Sequence, residues 1–285
     1  MVSYKIMIDG IHIISENKCI LLNKNHAHYI NSVMYNFNFY FDVVEPTRHE
    51  GIDVVDFRNP KKHKIIGFDL FDVLCPSVAE GYPKQYLDFA NIKSGDVILD
   101  LGAYSGFTSI VFSLKTGKTG KVICVEPDVL NIKCCIENMK EFSSIVGYNN
   151  FELFHGLVWN SNEEIPFSME GSMGSAASSI VGTDRGNILN VPSFTLSDLA
   201  KNTNRIDFIK CDIEGAEEFI FNDDNFFNKH SPKIIIEPHK NKNRGRINTK
   251  ECIESVEKYG YKCRVIDQIG INDIPLIECT RDQNG

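Results

Sequence analysis

The sequence predicts an α/β fold with a mainly parallel sheet of seven strands that ends in an antiparallel hairpin. From about residue 80 onward, apolar runs of strand length alternate with segments of helical periodicity, which is typical of parallel strands joined by crossover helices. The run at residues 233–237 is uninterrupted, as expected of a strand buried on both faces. The last two runs, residues 261–266 and 274–279, are too close for a crossover helix and should pair antiparallel.

Residues 1–66 precede this pattern and are predicted to form a small N-terminal appendage that packs on an α/β domain of residues 67–285. The appendage is also a candidate element for homodimer formation. Phenylalanine at every second position of residues 36–41 predicts a half-exposed strand. Pro46 and residues 59–64 interrupt the apolar pattern and predict loops.

The rest of the chain is organised around residues 97–109, where a short apolar run leads through a glycine turn into a helical pattern. Gly102 and Gly106 bound the turn, and Ser105 is predicted to be the N-cap of the helix. Such a turn lets a ligand approach bare backbone and the unpaired N–H groups of a helix N-terminus. Immediately upstream, residues 80–90 predict a helix with Tyr86 among its inward-facing side chains.

The spacing of this turn distinguishes between nucleotide cofactors. A dinucleotide-binding turn has a third glycine that admits a pyrophosphate, whereas Ala103, Tyr104 and Ser105 fill the interior of this one. Glu126 ends the second apolar run, where a carboxylate can accept both hydroxyls of a ribose. The combination favours S-adenosyl-L-methionine over NAD; the alternative is an ordinary strand–helix turn beside a solvated glutamate.

The remaining elements follow in order along the chain. Asp128 is predicted to cap a helix over residues 129–139. Small residues dominate residues 171–179, which form either a lid over an active site or a plain surface loop. The other predicted elements are strands at residues 151–158, 165–169, 205–211 and 233–237, and helices at residues 196–199, 214–221 and 249–260.

Acidic residues follow the predicted strands, at the sheet edge where ligands bind in such folds. Asp212 and His239 follow the fourth and fifth strands, and either is a candidate base for a hydroxyl proton, His239 with a pKa of about 6.5. The plain alternatives are an acid favoured near a helix N-terminus and a solvated histidine. Glu214 and Glu237 could join them around Mg²⁺ or Mn²⁺, but no ligand spacing singles out a metal site, and we predict none. The basic residues of 240–246 form either a solvated loop or a site for an anionic group of the acceptor.

Composition limits the class of protein. The 285-residue chain has a net charge of −8, so it lacks the basic surplus with which nucleic-acid binders neutralise phosphates. Its nine cysteines include no Cys-x-x-Cys pair, and several lie in apolar runs, which favours a reducing compartment. The sequence shows neither a signal-peptide segment nor an apolar run of membrane-spanning length. We therefore expect a cytoplasmic protein with no nucleic-acid partner and no membrane span.

Several of these stretches together resemble the FkbM family of S-adenosylmethionine-dependent O-methyltransferases. The most specific is Phe-Ile-Lys-Cys-Asp-Ile-Glu-Gly-Ala-Glu at residues 208–217, which is similar to the family's Lys-x-Asp-x-Glu-Gly-Ala-Glu signature. The similarity extends from about residue 68 to residue 266 and implies a class I methyltransferase, Rossmann-like fold. The cofactor-binding residues that it implies are Glu80, Asp100, Gly102, Ala103, Tyr104, Ser105, Gly106, Glu126, Pro127 and Asn131.

The resemblance implies methyl transfer to a hydroxyl, most commonly of a sugar in a glycan or glycoconjugate. The expected partner is therefore a small-molecule or glycan acceptor. A natural-product hydroxyl is one alternative, and a catalytically silent cofactor-binding module is another. An NAD-dependent oxidoreductase is a third alternative, which the filled glycine turn disfavours.

Overall fold

The computed structural model describes residues 1–59, 61–72, 84–169, 187–241, 245–268 and 271–281. Its strands, in chain order, are β1 (Ser3–Met7), β2 (Gly10–Ser15), β3 (Lys18–Leu22), β4 (Thr47–His49), β5 (Ile52–Phe57), β6 (Lys61–Ile65), β7 (Phe68–Asp72), β8 (Val97–Leu101), β9 (Lys121–Glu126), β10 (Phe151–His155), β11 (Leu157–Val158), β12 (Glu164–Met169), β13 (Asn187–Phe194), β14 (Phe208–Cys211), β15 (Lys233–Ile236), β16 (Lys240–Asn241), β17 (Arg246–Ile247), β18 (Lys262–Gln268) and β19 (Ile271–Thr280). Its α-helices are α1 (Ile30–Tyr35), α2 (Phe37–Val43), α3 (Lys84–Ala90), α4 (Phe107–Thr116), α5 (Val129–Val146), α6 (Leu196–Leu199), α7 (Glu217–Ile220), α8 (Asp224–Phe227) and α9 (Thr249–Glu257).

The central sheet has seven strands in the order β10-β9-β8-β14-β15-β19-β18. The strands from β10 to β15 are all parallel, and β19 runs antiparallel to both of its neighbours. This arrangement confirms the predicted α/β fold with its terminal hairpin. The hairpin is antiparallel because only a short connection separates β18 from β19, and a parallel pair would need a crossover element.

The direction in which the sheet grows reverses between β8 and β14. From β8 the chain adds β9 and then β10 on one side, and β14 later pairs with the other side of β8. In open α/β sheets the connections leave such a reversal point in opposite directions, so a crevice forms beyond the carboxyl ends of the two strands. The loops that follow β8 and β14 therefore border the expected ligand site.

Alternate residues of the central strands point to opposite faces of the sheet, and each face is covered. On one face, Leu99 and Leu101 belong to a buried cluster with the side chains of α6, α8 and α9. On the other face, Ile98 belongs to a cluster that includes Phe112 of α4 and Tyr86 of α3. Burial on both faces explains why these strands are nearly continuous apolar runs in the sequence.

The N-terminal residues form a separate five-stranded sheet in the order β1-β2-β3-β5-β4. Its buried residues share one cluster with Phe107 and Ile110 of α4 and with Phe142 of α5. The N-terminal sheet therefore covers the side of α4 and α5 that faces away from the central sheet. The predicted domain boundary after residue 66 falls in the turn between the paired strands β6 and β7, and the division into two domains stays a prediction.

The structure corrects the prediction of a loop within residues 59–64, because residues 61–65 form β6 with buried side chains at alternate positions. It also corrects the prediction of a strand over residues 36–41. This segment lies in α2 (Phe37–Val43), because the buried positions Val33, Phe37, Tyr40 and Val44 recur with helical spacing across α1 and α2. Over so short a run, phenylalanines at every second position are compatible with a helix as well as with a strand. No helix in the described part of the chain is long and apolar enough to cross a membrane.

Candidate active site

The glycine turn after β8 is held by backbone hydrogen bonds to the end of β9. The N–H groups of Gly102 and Ala103 donate to the carbonyl oxygen of Val125 at 3.1 and 3.0 Å, and the N–H of Tyr104 donates to the Glu126 carboxylate at 2.8 Å. Gly102 and Tyr104 are partly exposed, whereas Ala103 and the residues that follow Tyr104 in the turn are buried. The residues of the turn that solvent can reach are therefore limited to these two.

Gly102 is required by the packing of two loops rather than by open space for a ligand. Its φ is +79°, and a Cβ atom built on it would lie 1.8 Å from the carbonyl oxygen of Asp212. The loop after β14 thus occupies the space that a side chain at residue 102 would need. The sequence suggested that this glycine leaves room for a ligand, and the structure gives a different neighbour as the cause.

The N-cap of α4 is Gly106, with φ at 81° and no side-chain hydrogen bond. The prediction that Ser105 caps this helix is therefore wrong. Ser105 is buried, and its carbonyl oxygen accepts a hydrogen bond from the side-chain amide of Asn138 at 2.8 Å. Because that amide belongs to α5, it ties the turn to the neighbouring helix.

Glu126, the last residue of β9, lies beneath the glycine turn with its carboxylate held by three donors. The N–H of Tyr104 and the N–H of Asp128 donate to its two oxygens at 2.8 and 2.9 Å, and the side-chain amide of Asn131 donates at 3.2 Å. Burial raises the pKa of Glu126 to about 7, against the lowering effect of these donors. Asn131 thus orients Glu126, and Pro127 between them is partly exposed.

The helix that follows begins as the sequence predicts. Asp128 is the N-cap of α5, and its carboxylate accepts hydrogen bonds from the N–H groups of Leu130 and Asn131 at 2.8 and 3.4 Å. This cap fixes the first turn of α5, which carries Asn131. The position of Glu126 therefore depends on the start of the helix.

Asp100 and Lys210 form a buried pair beneath the crevice. Asp100 is fully buried in β8 and accepts a hydrogen bond from the Ser109 hydroxyl at 2.6 Å. The Lys210 ammonium lies 3.6 Å from Asp100 and 3.2 Å from Asp212, and it donates to the carbonyl oxygen of Gly102 at 2.8 Å. Burial would lower the pKa of Lys210, but Asp212 and Asp100 raise it. Lys210 therefore links the loops after β8 and β14.

Asp212 and His239, predicted as candidates for the base, lie together at the carboxyl edge of β14 and β15. The His239 Nε2 atom is 3.7 Å from an oxygen of Asp212, 3.7 Å from an oxygen of Glu214 and 3.6 Å from an oxygen of Glu237. We call these four residues the carboxylate–histidine cluster. Asp212, Glu214 and His239 offer ligand atoms that all lie within 4.8 Å of one another, so they could hold a metal ion.

The His239 ring is fixed from its other side. Its Nδ1 atom is 2.9 Å from an oxygen of Glu217, which is fully buried and also accepts from the N–H of Gly215 and the side-chain amide of Asn248. Burial would lower the pKa of His239, but Glu214, Glu217 and Asp212 raise it well above the ordinary value. The value of about 6.5 expected from the sequence therefore does not hold for His239 in this setting.

Tyr86, Lys210 and Glu217 complete the site and were not predicted as site residues. The Tyr86 hydroxyl donates to Glu237 at 3.0 Å, which brings α3 to the cluster. A lysine inside the buried run of β14 is a signal that could have been used, because a lysine is almost never fully buried without a partner. Nothing comparable marks Tyr86, whose contact joins residues 151 positions apart.

Three predicted features fall wholly or partly outside the described residues. Glu80 and residues 171–179 lie outside them, and so do residues 242–244 of the basic stretch. Within the described part of that stretch, the Arg246 guanidinium makes a two-fold ion pair with Glu251 at the start of α9. Arg246 is therefore engaged in a structural contact.

Comparison with known protein families identifies the chain's relatives. The family described as Methyltransferase FkbM domain matches residues 100–263, more than half of the 285-residue chain. The chain belongs to the FkbM methyltransferase family. The FkbM match begins at Asp100 and includes Glu126, the carboxylate–histidine cluster and the start of β18. The N-terminal sheet and Tyr86 lie outside it.

Solved structures with a similar fold include other methyltransferases. Methyltransferase FkbM from Methylobacillus flagellatus is 14% identical, with a TM-score of 0.46 over 71% of this chain and 52% of that chain. Precorrin-6y C5,15-methyltransferase from Geobacter metallireducens is 16% identical, with a TM-score of 0.44 over 71% of this chain and 87% of that one. Fibrillarin from Aeropyrum pernix, solved with bound S-adenosyl-L-methionine, is 14% identical, with a TM-score of 0.41 and coverage of 66% and 67%. No curated protein matches the chain.

Proposed function

We propose that this FkbM methyltransferase transfers a methyl group from S-adenosyl-L-methionine to a hydroxyl group of a sugar in a glycan or glycoconjugate. The observation that carries the proposal is the pairing of two sites at one sheet edge. Glu126 lies beneath the glycine turn after β8, and the carboxylate–histidine cluster follows β14 and β15. A nucleoside bound at the first site would direct its methyl group across the crevice to the second.

The cofactor half of the proposal rests on the glycine turn and Glu126. The Glu126 carboxylate is held in place by three donors, two on Oε1 and one on Oε2, so Oε2 keeps a lone pair that can accept a ribose hydroxyl. Gly102 and Tyr104, the partly exposed residues of the turn, border the same space. The sulfonium group of the cofactor is positively charged, so the nearby carboxylates favour its binding.

The acceptor half of the proposal rests on Asp212 and His239. Methyl transfer to oxygen is a direct displacement, in which the bond from sulfur to the methyl carbon breaks as the bond from oxygen forms. The hydroxyl must also lose its proton, which a positioned carboxylate or imidazole can accept. We propose that Asp212 and His239 flank the acceptor hydroxyl, one receiving the proton and the other orienting the oxygen. The leaving group is S-adenosylhomocysteine, which is neutral at sulfur.

The choice of a sugar hydroxyl rests on the family resemblance, and the acceptor screen tests it. The full chain is incubated with S-adenosylmethionine labelled in the methyl group and with panels of sugars, glycolipids and non-sugar alcohols. We expect label in a sugar product, and we expect Asp212→Asn and His239→Gln to lose about 10²–10⁴-fold in rate while still binding S-adenosylhomocysteine. Glu254→Gln, an exposed change on α9, serves as the control.

The other outcomes of this screen identify the alternatives. Label in a non-sugar alcohol would show a natural-product O-methyltransferase. Cofactor binding without transfer to any member of the panels would favour a catalytically silent module. Binding of NAD instead of S-adenosylhomocysteine would overturn the proposal.

A further inference from the structure

We propose that Asp212, Glu214 and His239 form a binding site for a divalent cation at the carboxyl edge of β14 and β15. One ligand atom from each residue lies within 4.8 Å of the others. The sequence led us to expect no metal because these residues show no recognisable ligand spacing. Their proximity comes from the fold, which brings the loops after two neighbouring parallel strands to one place.

The His239 ring has the setting of a metal-binding imidazole. His239 is only 9% exposed, and its Nδ1 atom is 2.9 Å from the fully buried Glu217. A carboxylate that accepts the N–H of one ring nitrogen fixes the tautomer and leaves the other nitrogen free to bind a metal. Glu217 is itself held by Gly215 and Asn248. The ring is therefore held with Nε2 facing the carboxylates of Asp212, Glu214 and Glu237.

The distances around Nε2 fit ligands of a shared ion better than hydrogen bonds. Nε2 lies 3.6–3.7 Å from oxygens of Asp212, Glu214 and Glu237, beyond the length of an N–H···O hydrogen bond. Two atoms that bind the same cation at about 2.1 Å lie about 3–4 Å apart. Among the described residues, Nε2 makes no hydrogen bond, and these three oxygens are its polar neighbours.

The charge of the site also favours a bound cation. Lys210 contacts this region from β14, with its ammonium near Asp100 and Asp212. The acidic side chains nearby come from β8, the loops after β14 and β15, and the start of α7. The acidic residues around Lys210 and His239 are Asp100, Asp212, Glu214, Glu217 and Glu237. A divalent cation at this position would stabilise the ionised form of these carboxyl groups.

The ligand set indicates the class of cation. One imidazole nitrogen with carboxylate oxygens suits Mn²⁺ and related divalent ions, and the oxygens also suit Mg²⁺. Three protein ligands leave coordination positions open. This part of the inference rests on the proposed function: an open position would bind the acceptor hydroxyl and hold its oxygen opposite the methyl group. With the ion bound, His239 would orient the hydroxyl through the ion, and the carboxylate oxygen of Asp212 that does not bind the ion would receive the proton.

Titration of the metal-free full chain with Mn²⁺ tests the site without any acceptor. Any affinity tag used in purification is removed first, so that it cannot bind Mn²⁺. The electron paramagnetic resonance signal of free Mn²⁺ then reports binding. We expect one Mn²⁺ per chain, with pulsed spectra that show coupling to the ¹⁴N nucleus of a coordinated imidazole. We expect at least about tenfold weaker binding in Asp212→Asn, Glu214→Gln and His239→Gln, and about 10–100-fold weaker binding in Glu217→Gln, which changes the group behind His239.

Glu254→Gln should bind Mn²⁺ like the parent chain, because Glu254 lies on the exposed side of α9 beside Lys250. Thermal melting of each variant checks its folding, and the parent titration does not depend on any variant. Absence of stoichiometric binding, absence of ¹⁴N coupling, or equal binding in all variants would overturn the inference. S-adenosylhomocysteine binding is measured on the same samples. If the chain binds S-adenosylhomocysteine but not Mn²⁺, the cation site is wrong and the proposed function stands. If it binds Mn²⁺ but not S-adenosylhomocysteine, the proposed function fails and the cation site stands.

Discussion

At the scale of single residues, the site depends on carboxylates that the fold has desolvated. Glu126 is 4% exposed and held by three donors, and Asp100 is fully buried beside Lys210. A buried carboxylate without partners would be costly, so each is held by donors or a cation. Such groups keep one orientation, which lets a ligand bind without reorganising the site.

Replacing Glu126 with alanine tests its role as the ribose acceptor. We expect Glu126→Ala to weaken S-adenosylhomocysteine binding by about 2 kcal/mol or more, the scale of lost hydrogen bonds to a charged group. Calorimetric titration measures the change. Glu137→Ala, an exposed position on α5, is the matched control. Unchanged affinity in a folded Glu126→Ala protein would remove Glu126 from the cofactor site.

The same residue predicts how cofactor affinity changes with pH. Burial raises the pKa of Glu126 to about 7, and ribose hydroxyls donate to the ionised form, so binding should release a proton. Affinity should therefore rise as the pH increases through about 7 and level off above it. Methylthioadenosine is the best probe, because it carries the ribose but no amino acid group. A flat profile in the parent chain, or the same rise in Glu126→Ala, would contradict this assignment.

The residues that the sequence predicted at strand ends are those whose position follows from the α/β pattern. Asp212 and His239 follow neighbouring strands, so the order of the strands is enough to predict that they lie close together. Glu217 could not be found in this way, because its role depends on the turn that directs it to His239. Tyr86 likewise reaches Glu237 from a helix far away in the chain.

At the scale of elements, the contact between the loops after β8 and β14 sets the shape of the crevice. Gly102 allows this contact because it has no side chain to meet the Asp212 carbonyl. Lys210 adds a hydrogen bond to the Gly102 carbonyl and an ion pair to Asp212. A change at either loop should therefore affect both stability and the carboxylate–histidine cluster.

Gly102→Ala separates this contact from ordinary backbone strain. Alanine at Gly102 would be strained by its φ of +79° and would also overlap the Asp212 carbonyl, with 1.8 Å between the atoms. Gly147→Ala has a similar φ of +77° and nothing within 4 Å of the added atom, so it should lose only the strain energy of about 1–2 kcal/mol. We expect Gly102→Ala to lose more by about 1–3 kcal/mol, the range for overpacking. Urea unfolding compares the two variants, and equal losses would show that the loop contact is unimportant.

Helix α2 shows where the sequence pattern was ambiguous. Phe37 and Tyr40 are buried in α2, and the Phe37 and Phe41 rings lie 5.3 Å apart one helical turn from each other. In a run of only six residues, the aromatic side chains fit both the every-second-residue spacing of a strand and the spacing of a helix. Periodicity alone therefore cannot distinguish the two structures. The buried Val33 and Val44 on either side extend the helical spacing and distinguish it from a strand.

At the scale of the whole molecule, the layers alternate: the N-terminal sheet, helices α4 and α5, the central sheet, and then helices α6 to α9. The α/β part of this arrangement could be predicted, because each strand and helix carries a local signal. The N-terminal sheet could not, since it pairs β3 with β5 across α1 and α2. Its packing also depends on the outer surface of α4 and α5.

Phe142 tests whether the N-terminal sheet and the central domain unfold together. Its ring is fully buried in α5 and contacts Phe68 of β7 at 5.1 Å and Phe151 of β10 at 5.7 Å between ring centres. Phe142→Ala should therefore leave a cavity on the side of α5 that faces the N-terminal sheet. We expect a loss of about 3–5 kcal/mol in the free energy of unfolding. Ile145→Ala, on the exposed side of the same helix, should change it by less than about 0.5 kcal/mol.

Urea unfolding of Phe142→Ala, followed by far-ultraviolet circular dichroism and by fluorescence of Trp159, measures this loss. Trp159 packs against Phe219 in the buried cluster beside the three-stranded sheet β11-β13-β12, so its signal reports a cluster that does not contain Phe142. If the layers form one cooperative unit, both signals should shift to the same lower urea concentration. A shift in circular dichroism alone would show that the N-terminal sheet unfolds independently. The appendage predicted from the sequence would then be an autonomous unit, because its loss would leave the Trp159 region folded.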